Sequence, residues 1–322
     1  MRILVTGGAG YVGGVVADRL LKGGHQVTVL DNLSKGQRQS VPEAAQFVLS
    51  DTGDEATLDG VFREGSFEAV MHFAAFIEAR ESILSPEIYF DNNSSKTVTL
   101  LRMLLKHKVP RFVFSSTAAV YGEPRSIPIT EEHPLEPTNP YGESKRLVEQ
   151  MLGWLHNAHG LRYAILRYFN AAGAVANRGE AHQPETHLIP LVCKAALDKQ
   201  PSISIYGTDY PTKDGTCVRD YVHVADLAAA HVLAVEALAE RTDLVCNLGS
   251  GSGFSVREII EVAASVTGKN IRTVELPRRT GDAAVLIASS EKAKKVLGWT
   301  PQHSDIEVIV RSAWAWHSRN RA

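Results

Sequence analysis

The chain has 322 residues, of which 44% are hydrophobic and 22% charged, a composition typical of a soluble globular protein large enough for two domains. Its net charge of −2 excludes a broad basic surface for nucleic acid, and no apolar run is long enough to cross a membrane as a helix. The first apolar stretch is too short for a signal peptide, so we expect a cytoplasmic protein that binds neither nucleic acid nor membrane.

The first half of the chain alternates short apolar runs with longer helical patterns, which predicts a parallel sheet. The runs are continuously apolar, as expected of strands that are buried on both faces. We therefore predict an α/β fold with a Rossmann-type, doubly wound parallel sheet. Strands are predicted at 2–6, 26–30, 47–49, 69–72, 112–115 and 164–167, and helices at 11–22, 87–107 and 141–159.

The composition changes after about residue 170, where Gly, Pro and polar residues become frequent. Further helices are predicted at 188–198, 255–267 and 290–297, and a strand end followed by a helix at 222–239. We predict a Rossmann domain over 1–170, with a returning contribution near 221–240, and a smaller α/β substrate domain over 171–322. The ligand site is expected in the cleft between them.

The cysteines and histidines indicate no metal centre. Cys193, Cys217 and Cys246 are far apart and form no CxxC pair, so we expect reduced core residues rather than disulfides or metal ligands. The twelve histidines show no ligand spacing such as HExxH, and we expect no bound metal.

A glycine-rich segment, Gly7-Gly-Ala-Gly-Tyr-Val-Gly13, lies directly between the first predicted strand and the first predicted helix. It fits both GxGxxG and GxxGxxG. Glycines permit the tight turn and let the backbone approach a pyrophosphate, while the helix presents free N–H groups and a positive dipole end. The segment therefore predicts a dinucleotide site, with a glycine-rich turn that binds nothing as the alternative.

Acidic residues at the ends of the next two strands indicate which dinucleotide is bound. Asp31 lies about twenty residues after the loop, where a carboxylate can accept the adenosine ribose hydroxyls and repel a 2′-phosphate. NAD is therefore favoured over NADP, although an aspartate here also suits a turn or a helix cap. Asp51, after the third strand, is a second candidate that would accept the adenine amino group.

A tyrosine and a lysine stand about one helical turn apart in Pro140-Tyr-Gly-Glu-Ser-Lys145. The spacing of Tyr141 and Lys145 places a phenol and an ammonium on one face of the predicted helix. By itself the pair is compatible with an ordinary surface contact, but beside a bound dinucleotide it is a candidate device for proton transfer. Thr117 follows a predicted strand and offers a further hydroxyl, in a position that also suits a capping residue.

Motifs along nearly the whole chain resemble those of the extended short-chain dehydrogenase/reductase family. The first-half motifs are shared widely in that family, whereas the block at 209–226 is particular to its sugar-nucleotide epimerases. The motifs are Gly7–Gly13, Asp31–Leu33, His72–Ala75, Tyr89–Asn93, Ser115–Gly122, Pro140–Lys145, Leu166–Asn170, Pro184–Pro190, Asp209–Asp226, Asn247–Gly249 and Arg278–Asp282.

The resemblance implies an isomerase that reversibly epimerises UDP-glucose and UDP-galactose at carbon 4 through a transient 4-keto sugar, with tightly bound NAD. It also implies a homodimer, in which the helices at 87–107 and 141–159 could pair. Alternatives are a 4-epimerase of another UDP-sugar (N-acetylhexosamine, glucuronate or pentose) and a non-catalytic NAD-binding regulator. A 4,6-dehydratase is disfavoured, because Ala118 and Ala119 stand where its carboxylates would be needed.

The resemblance also implies roles for individual residues. Tyr141 is the acid/base, Lys145 its electrostatic partner and a ribose ligand, and Thr117 a proton relay. The implied cofactor-binding residues are Gly7, Gly10, Tyr11, Val12, Gly13, Asp31, Asn32, Asp51, Thr52, Phe73, Ala74, Ala75, Asn92, Ser115, Tyr141, Lys145 and Tyr168. The implied substrate-binding residues are Thr117, Tyr141, Asn170, Leu188, Arg219, Arg279 and Asp282.

A phenol titrates near pH ~10 in water, so Tyr141 must lose roughly three pKa units, or about 4 kcal/mol, to act as a base near neutrality. One cation at ~4 Å supplies about that much at an effective dielectric constant of ~20, so Lys145 and a positive nicotinamide suffice, although burial opposes them. Several positions depart from the family's pattern, among them residues 93–97, which lack the usual Asn-x-x-Gly sequence. Ile77 replaces a lysine near the cofactor phosphates, and Leu286 replaces an aromatic residue, which would admit N-acetylated sugars.

Overall fold

A seven-stranded parallel sheet organises the chain in the computed structural model, which describes residues 1–279 and 281–319. The strands are β1 (Arg2–Thr6), β2 (Gln26–Asp31), β3 (Gln46–Leu49), β4 (Ala69–His72), β5 (Arg111–Thr117), β6 (Arg162–Tyr168), β7 (Asn170–Ala172), β8 (Ala174–Val175), β9 (Arg178–Gly179), β10 (Ile203–Tyr206), β11 (Val218–His223), β12 (Asp243–Leu248), β13 (Gly253–Ser255), β14 (Thr273–Leu276) and β15 (Val285–Leu286). The α-helices are α1 (Tyr11–Lys22), α2 (Glu55–Gly65), α3 (Ala79–Leu84), α4 (Pro86–Tyr89), α5 (Lys96–Lys106), α6 (Pro140–His159), α7 (Leu188–Ala196), α8 (Val224–Ala237), α9 (Val256–Thr267), α10 (Glu291–Leu297) and α11 (Ile306–Arg319).

The strand order of the large sheet is β12-β6-β5-β4-β1-β2-β3. The order reverses between β1 and β4, so the chain winds outward in both directions from this point. In such sheets the crevice for a ligand opens beyond the carboxyl ends of the strands at the reversal. The prediction of a Rossmann-type, doubly wound parallel sheet is confirmed, and the strand order already indicates where a ligand binds.

Apolar clusters cover both faces of this sheet, as its continuously apolar strands require. Helices α1 and α8 bury residues such as Val16 and Leu227 on one face, while α2, α5 and α6 bury residues such as Leu104 and Val148 on the other. A third cluster, from α7, α9 and α11 with β10, gives the C-terminal part its own core. The domain limits at 1–170 and 171–322 stay predictions, and residues 320–322 lie outside the described part.

The three cysteines are free and buried, as expected from their spacing. Burial raises the pKa of the Cys193 and Cys246 thiols to about 12, so both stay protonated and unreactive at neutral pH. Within the described residues, we find no helix with both the length and the apolar character needed to span a membrane.

The structure differs from the predicted elements in two informative places. The helix predicted at 87–107 is interrupted by a π-helical turn, Phe90–Ser95, which lies between α4 and α5. A π turn adds a residue to the helical register and re-aims a side chain. Strand β12 was not predicted at all, because the polar Asn247 breaks its apolar run, although the structure buries that amide completely.

A buried ion pair joins helix α6 to the central sheet. The Arg167 guanidinium of β6 donates to the Glu149 carboxylate of α6, with Nε to Oε1 at 3.0 Å and Nη2 to Oε2 at 2.6 Å. Both side chains are less than a tenth exposed. Ser116 of β5 also donates to Glu149, and Arg167 donates to the Tyr121 hydroxyl, which in turn donates to Asn247 of β12. Three strands and α6 are therefore held by one polar network.

Glu149→Leu should lower the free energy of unfolding by about 3–5 kcal/mol, because it leaves the Arg167 charge buried without a partner. The double variant Glu149→Leu/Arg167→Met should lose less, since neither charge remains. Urea denaturation followed by circular dichroism measures both. The exposed pair Arg311–Glu307 on α11 provides the control, and Glu307→Gln should cost less than about 0.5 kcal/mol. Equal losses in the two single variants would contradict a structural role for the buried pair.

Candidate active site

A cavity of about 290 Å³ opens at the carboxyl edge of the large sheet, where the strand order reverses. Most of the residues singled out from the sequence meet there, although they are spread over more than 160 positions of the chain. From the predicted sets, the cavity lining includes Gly7, Gly10, Tyr11, Val12, Gly13, Asp31, Asn32, Asp51, Thr52, Phe73, Ala74, Ala75, Asn92, Thr117, Tyr141, Tyr168 and Asn170.

The glycine loop packs so tightly that side chains are excluded from two of its positions. Gly7 has φ +74°, and a Cβ atom there would lie 2.4 Å from the Ala74 nitrogen, just beyond β4. A Cβ atom on Gly13 would lie 2.3 Å from the Gly7 carbonyl oxygen. Gly10 is the N-cap of α1 and no side chain caps this helix end. The first backbone N–H groups of α1 are therefore available to an anion in the cavity.

Two carboxylates line the cavity beside this loop, and both accept hydrogen bonds from other groups of the chain. Asp31 accepts from the backbone N–H groups of Ala9 and Leu33, at 3.0 and 2.8 Å. Burial raises the Asp31 pKa, and these two hydrogen bonds oppose the rise. For Asp51, burial alone would raise the pKa, but hydrogen bonds from groups that include the Gly53 N–H and the Lys96 ammonium outweigh it and lower the pKa. Lys96 Nζ lies 2.9 Å from Asp51.

Tyr141 reaches the cavity from the first turn of α6. Asn139 caps this helix by accepting from the Gly142 N–H at 2.9 Å, and a Cβ atom on Gly142 would lie 2.5 Å from the Ala119 carbonyl oxygen. The helix therefore begins against the turn that follows β5. Burial raises the Tyr141 pKa above its ordinary value, and the Thr117 hydroxyl, by hydrogen bonding, lowers it only in part. Without a bound cofactor the Tyr141 pKa is therefore raised, because desolvation outweighs the hydrogen bond to Thr117.

Lys145 lies just behind the cavity wall and is 3% exposed. Its ammonium donates to the Ser115 carbonyl oxygen at 3.0 Å and lies 4.9 Å from the centre of the Phe114 ring. Burial lowers the Lys145 pKa to about 7, and the charge of Glu149 one turn along α6 opposes that shift. Lys145 is therefore only partly charged near neutral pH. The Ser115 hydroxyl shares a 2.6 Å hydrogen bond with the Tyr168 hydroxyl.

The residues predicted to bind substrate divide into two groups. Thr117, Tyr141 and Asn170 line the cavity, and Asn170 donates to the Asp220 carbonyl oxygen at 2.9 Å. The other four, which are not part of the lining, are Leu188, Arg219, Arg279 and Asp282.

The two predicted arginines have partners of different kinds. Arg219 donates to the carbonyl oxygens of Val218 and Ala283, and lies 3.8 Å from Asp282. Arg279 stacks on the Tyr206 ring, with its guanidinium carbon 3.6 Å from the ring centre. Thr280, within the same sequence motif, lies outside the described residues.

Sequence reasoning missed Asn93, which the π-helical turn directs inward. Its amide accepts from the Phe76 N–H and donates to the Phe76 carbonyl oxygen and the Ser144 hydroxyl. Phe76 and Ile77 belong to the cavity wall, so Asn93 ties that wall to α6. The sequence feature that could have indicated Asn93 is the Asn-Asn pair at 92–93, of which only Asn92 was predicted to bind the cofactor. Asn92 also lines the cavity and donates to Asn93 at 3.1 Å.

A second group missed from the sequence contains Glu180, His182 and His187, all of which line the cavity. The His182 ring nitrogen Nδ1 lies 2.7 Å from Glu180, and His187 Nδ1 lies 2.8 Å from Glu185. The spacing Glu-x-His-x₄-His was a visible signal, but it occurs in a loop and fits no common metal motif.

Comparison with known proteins places these features in a family. Residues 3–292 match the model of the NAD dependent epimerase/dehydratase family. The chain is 52% identical to the UDP-glucose 4-epimerase of Streptomyces lividans and 50% identical to that of Halalkalibacterium halodurans, over 98% and 99% of this chain and 96% of each relative. It is similar to the crystal structure of UDP-glucose 4-epimerase from Bifidobacterium longum in complex with NAD+ and UDP (TM-score 0.95, 38% identity, 99% of both chains covered).

The packing of the glycine loop gives a test that needs no ligand. Gly7 and Gly24 both have positive φ, but a Cβ atom on Gly24 would have no heavy atom within 4 Å. Gly24→Ala should therefore cost only the backbone strain of about 1 kcal/mol, whereas Gly7→Ala adds an overpacking cost of about 1–3 kcal/mol. The midpoint of urea denaturation measures both variants. Equal midpoints would show that the loop accommodates the added atom and that its tight packing is not a constraint.

Proposed function

We propose, since the chain belongs to the NAD dependent epimerase/dehydratase family, that it interconverts UDP-glucose and UDP-galactose at carbon 4 with NAD as its cofactor. One observation on the chain's own geometry supports the proposal. The phenol of Tyr141 and the hydroxyl of Thr117 line the same cavity as the glycine loop and Asp31. A proton-transfer pair and a dinucleotide site therefore share one space, as an oxidation of a sugar hydroxyl requires.

The residues of this cavity fit a dinucleotide. The tight glycine loop leaves room for a pyrophosphate at the uncapped N-terminus of α1, whose dipole favours negative charge. Asp31 would accept the adenosine ribose hydroxyls and disfavour a 2′-phosphate, which selects NAD. Asp51, Phe73 to Ala75 and Asn92 complete the proposed cofactor site. When bound, oxidised NAD supplies a hydride acceptor and a positive charge.

The proposed work of Tyr141 is to remove the proton of the sugar hydroxyl and later return it, with Thr117 passing the proton between them. Because burial raises its pKa, Tyr141 stays a protonated phenol, and positive charge in the cavity would favour the phenolate that accepts the proton. Lys145, whose pKa is about 7, supplies part of that charge from behind the wall. A cation at ~4 Å contributes about 4 kcal/mol at an effective dielectric constant of ~20, which corresponds to roughly three pKa units.

The nucleotide part of the substrate must be bound firmly while the sugar ring stays free to rotate. The 4-keto sugar can be reduced on its opposite face only after the ring has turned. Arg219 and Arg279 are the proposed ligands of the diphosphate, since a guanidinium makes charge-assisted bonds to phosphate. Leu188 and Asp282 are proposed to contact the nucleotide as well. Asn170, which lines the cavity, is proposed to lie on the sugar-phosphate side. Anchoring by the nucleotide leaves the sugar ring to rotate.

The experiment is an absorbance spectrum of the purified protein before and after addition of UDP-galactose. We expect a rise at the absorption band of reduced nicotinamide, together with the appearance of UDP-glucose. Tyr141→Phe should retain NAD but lose roughly 10²–10⁴-fold in kcat, because the proton acceptor is gone. Tyr163→Phe, on β6 away from the cavity lining, is the matched control and should keep full activity.

Near-normal turnover by Tyr141→Phe would refute the assigned base. NAD bound without turnover of any UDP-sugar would instead favour a non-catalytic regulator. UDP-N-acetylglucosamine belongs in the same assay, because Leu286 packs on the cluster that contains Phe169, a residue of the cavity wall. Absence of turnover with this sugar, while UDP-glucose is active, would remove the proposal that Leu286 admits N-acetylated substrates.

A homodimer and a cytoplasmic location are also proposed. Apolar side chains are exposed on the neighbouring helices α3 to α6, among them Leu84 at 76% and Trp154 at 75%. Solvent-exposed apolar groups of this size favour a partner surface, and a second copy of the chain would cover them. The buried free cysteines support a reducing compartment.

Light scattering coupled to size-exclusion chromatography tests the dimer. We expect the wild type at twice the chain mass of 35.1 kDa and Trp154→Glu shifted towards the monomer, because a buried unpaired carboxylate opposes association. Val308→Glu, at an exposed apolar position on α11, is the control and should leave the mass unchanged. A wild type at the monomer mass would overturn the proposed dimer.

A further inference from the structure

We propose that Glu180, His182 and His187 form a binding site for a divalent transition-metal ion of the Zn²⁺ class in the wall of the cavity. All three residues line the cavity. Each offers one ligand atom, and these atoms lie within 4.8 Å of one another. Bonds of about 2.0–2.2 Å to a common ion keep two ligand atoms within about 4.4 Å of each other, so the side chains need to approach by only a few tenths of an ångström to share one ion.

His182 presents a nitrogen that the protein itself does not satisfy. Its Nδ1 lies 2.7 Å from Glu180 Oε1 in an ion-pair contact, but the nitrogen is buried and makes no hydrogen bond of good geometry. A buried nitrogen in this state is costly, and such groups usually indicate an ion or a water molecule. A cation bound by both the imidazole and the carboxylate would remove that cost.

His187 is oriented in the manner of a metal ligand. Its Nδ1 contacts the Glu185 carboxylate at 2.8 Å, which leaves Nε2 as the ring nitrogen free for an ion. Glu185 is itself fixed, because its side chain is 1% exposed and accepts from the backbone N–H groups of Thr186 and His187. A carboxylate behind a histidine fixes the ring and raises its basicity as a ligand. The second Glu185 oxygen is buried without a partner.

The backbone around the cluster is held from two sides. Trp316 of α11 donates to the Glu180 carbonyl oxygen at 3.1 Å, and Gln37 donates to the Ala181 carbonyl oxygen at 3.2 Å. The Glu180 carboxylate also accepts from the N–H groups of Ala181 and His182. The three side chains therefore start from a fixed scaffold, which lowers the ordering cost of binding.

The ligand set determines the class of ion. Two imidazoles and one carboxylate suit Zn²⁺, Co²⁺ or Ni²⁺, whereas Mg²⁺ and Ca²⁺ prefer oxygen ligands throughout. Three protein ligands leave a fourth position open, and the shared cavity gives it access to solvent. The competing explanation is that no metal binds and that protonated histidines form two ordinary ion pairs, Glu180–His182 and Glu185–His187. The two explanations differ in whether the intact protein takes up one ion.

Isothermal titration of the purified protein with Zn²⁺, after removal of any affinity tag and of adventitious metal, tests the site. We expect one equivalent bound with micromolar or tighter Kd. His182→Ala and His187→Ala should each weaken binding at least tenfold, and Glu185→Gln should weaken it about 10–100-fold with unchanged stoichiometry. His303→Ala removes a similar histidine–carboxylate pair, with Asp226, elsewhere on the chain and should leave Kd unchanged.

Co²⁺ provides a second readout, since a four-coordinate site gives visible absorption that Zn²⁺ bleaches. Absence of stoichiometric binding to the wild type, or equal Kd values in the wild type and both histidine variants, overturns the proposal. If either alanine variant fails to fold by circular dichroism, the corresponding glutamine variant replaces it. Binding is measured without turnover, so failure here leaves the proposed epimerase activity intact, and inactivity towards UDP-sugars leaves the metal site intact.

Discussion

The buried pair of Arg167 and Glu149 is the constraint on which the rest of the site depends. It fixes the middle of α6 to the sheet, and the same helix carries Lys145 one turn earlier and Tyr141 a further turn towards the cavity. Ser116 of β5 and Asn247 of β12 extend the network across the sheet. Burying two charges is costly unless they are well paired. The pair therefore specifies one placement of α6, and with it the separation between the phenol and the ends of the strands.

Burial has a second consequence, because it disfavours the charged form of both groups that the chemistry needs. It raises the pKa of the Tyr141 phenol and lowers that of the Lys145 ammonium to about 7. In the protein alone the Tyr141 phenol consequently stays protonated at neutral pH. A positive charge that enters with a ligand would favour the Tyr141 phenolate, and its effect is large in a medium of low dielectric constant. The ability of Tyr141 to act as a base therefore depends on a positively charged ligand in the cavity.

The cavity itself is made by parts of the chain that are distant in sequence. Strand β11 pairs with β7, which directly follows β6, and the loop with Glu180 contributes to the cavity wall. Tyr11 of the glycine loop donates to the Gly173 carbonyl oxygen at 2.6 Å, which joins this loop to the segment after β7. The distance between the glycine loop and this segment is therefore set by contacts within the chain and does not require a ligand to define it.

The sequence by itself determined the features that local patterns encode. Continuous apolar runs indicated six strands of the sheet, the glycine spacing indicated the loop before α1, and the four-residue spacing placed Tyr141 and Lys145 on one helical face. Tertiary structure alone decided the rest. The π-helical turn directs Asn93 inward, and β12 joins the sheet although it contains the polar Asn247. The path of a loop brings Glu180 close to His187. Burial also raises the Tyr141 pKa in the protein without its cofactor. Each of these outcomes depends on contacts or desolvation between distant residues, which a periodic pattern along the chain does not record.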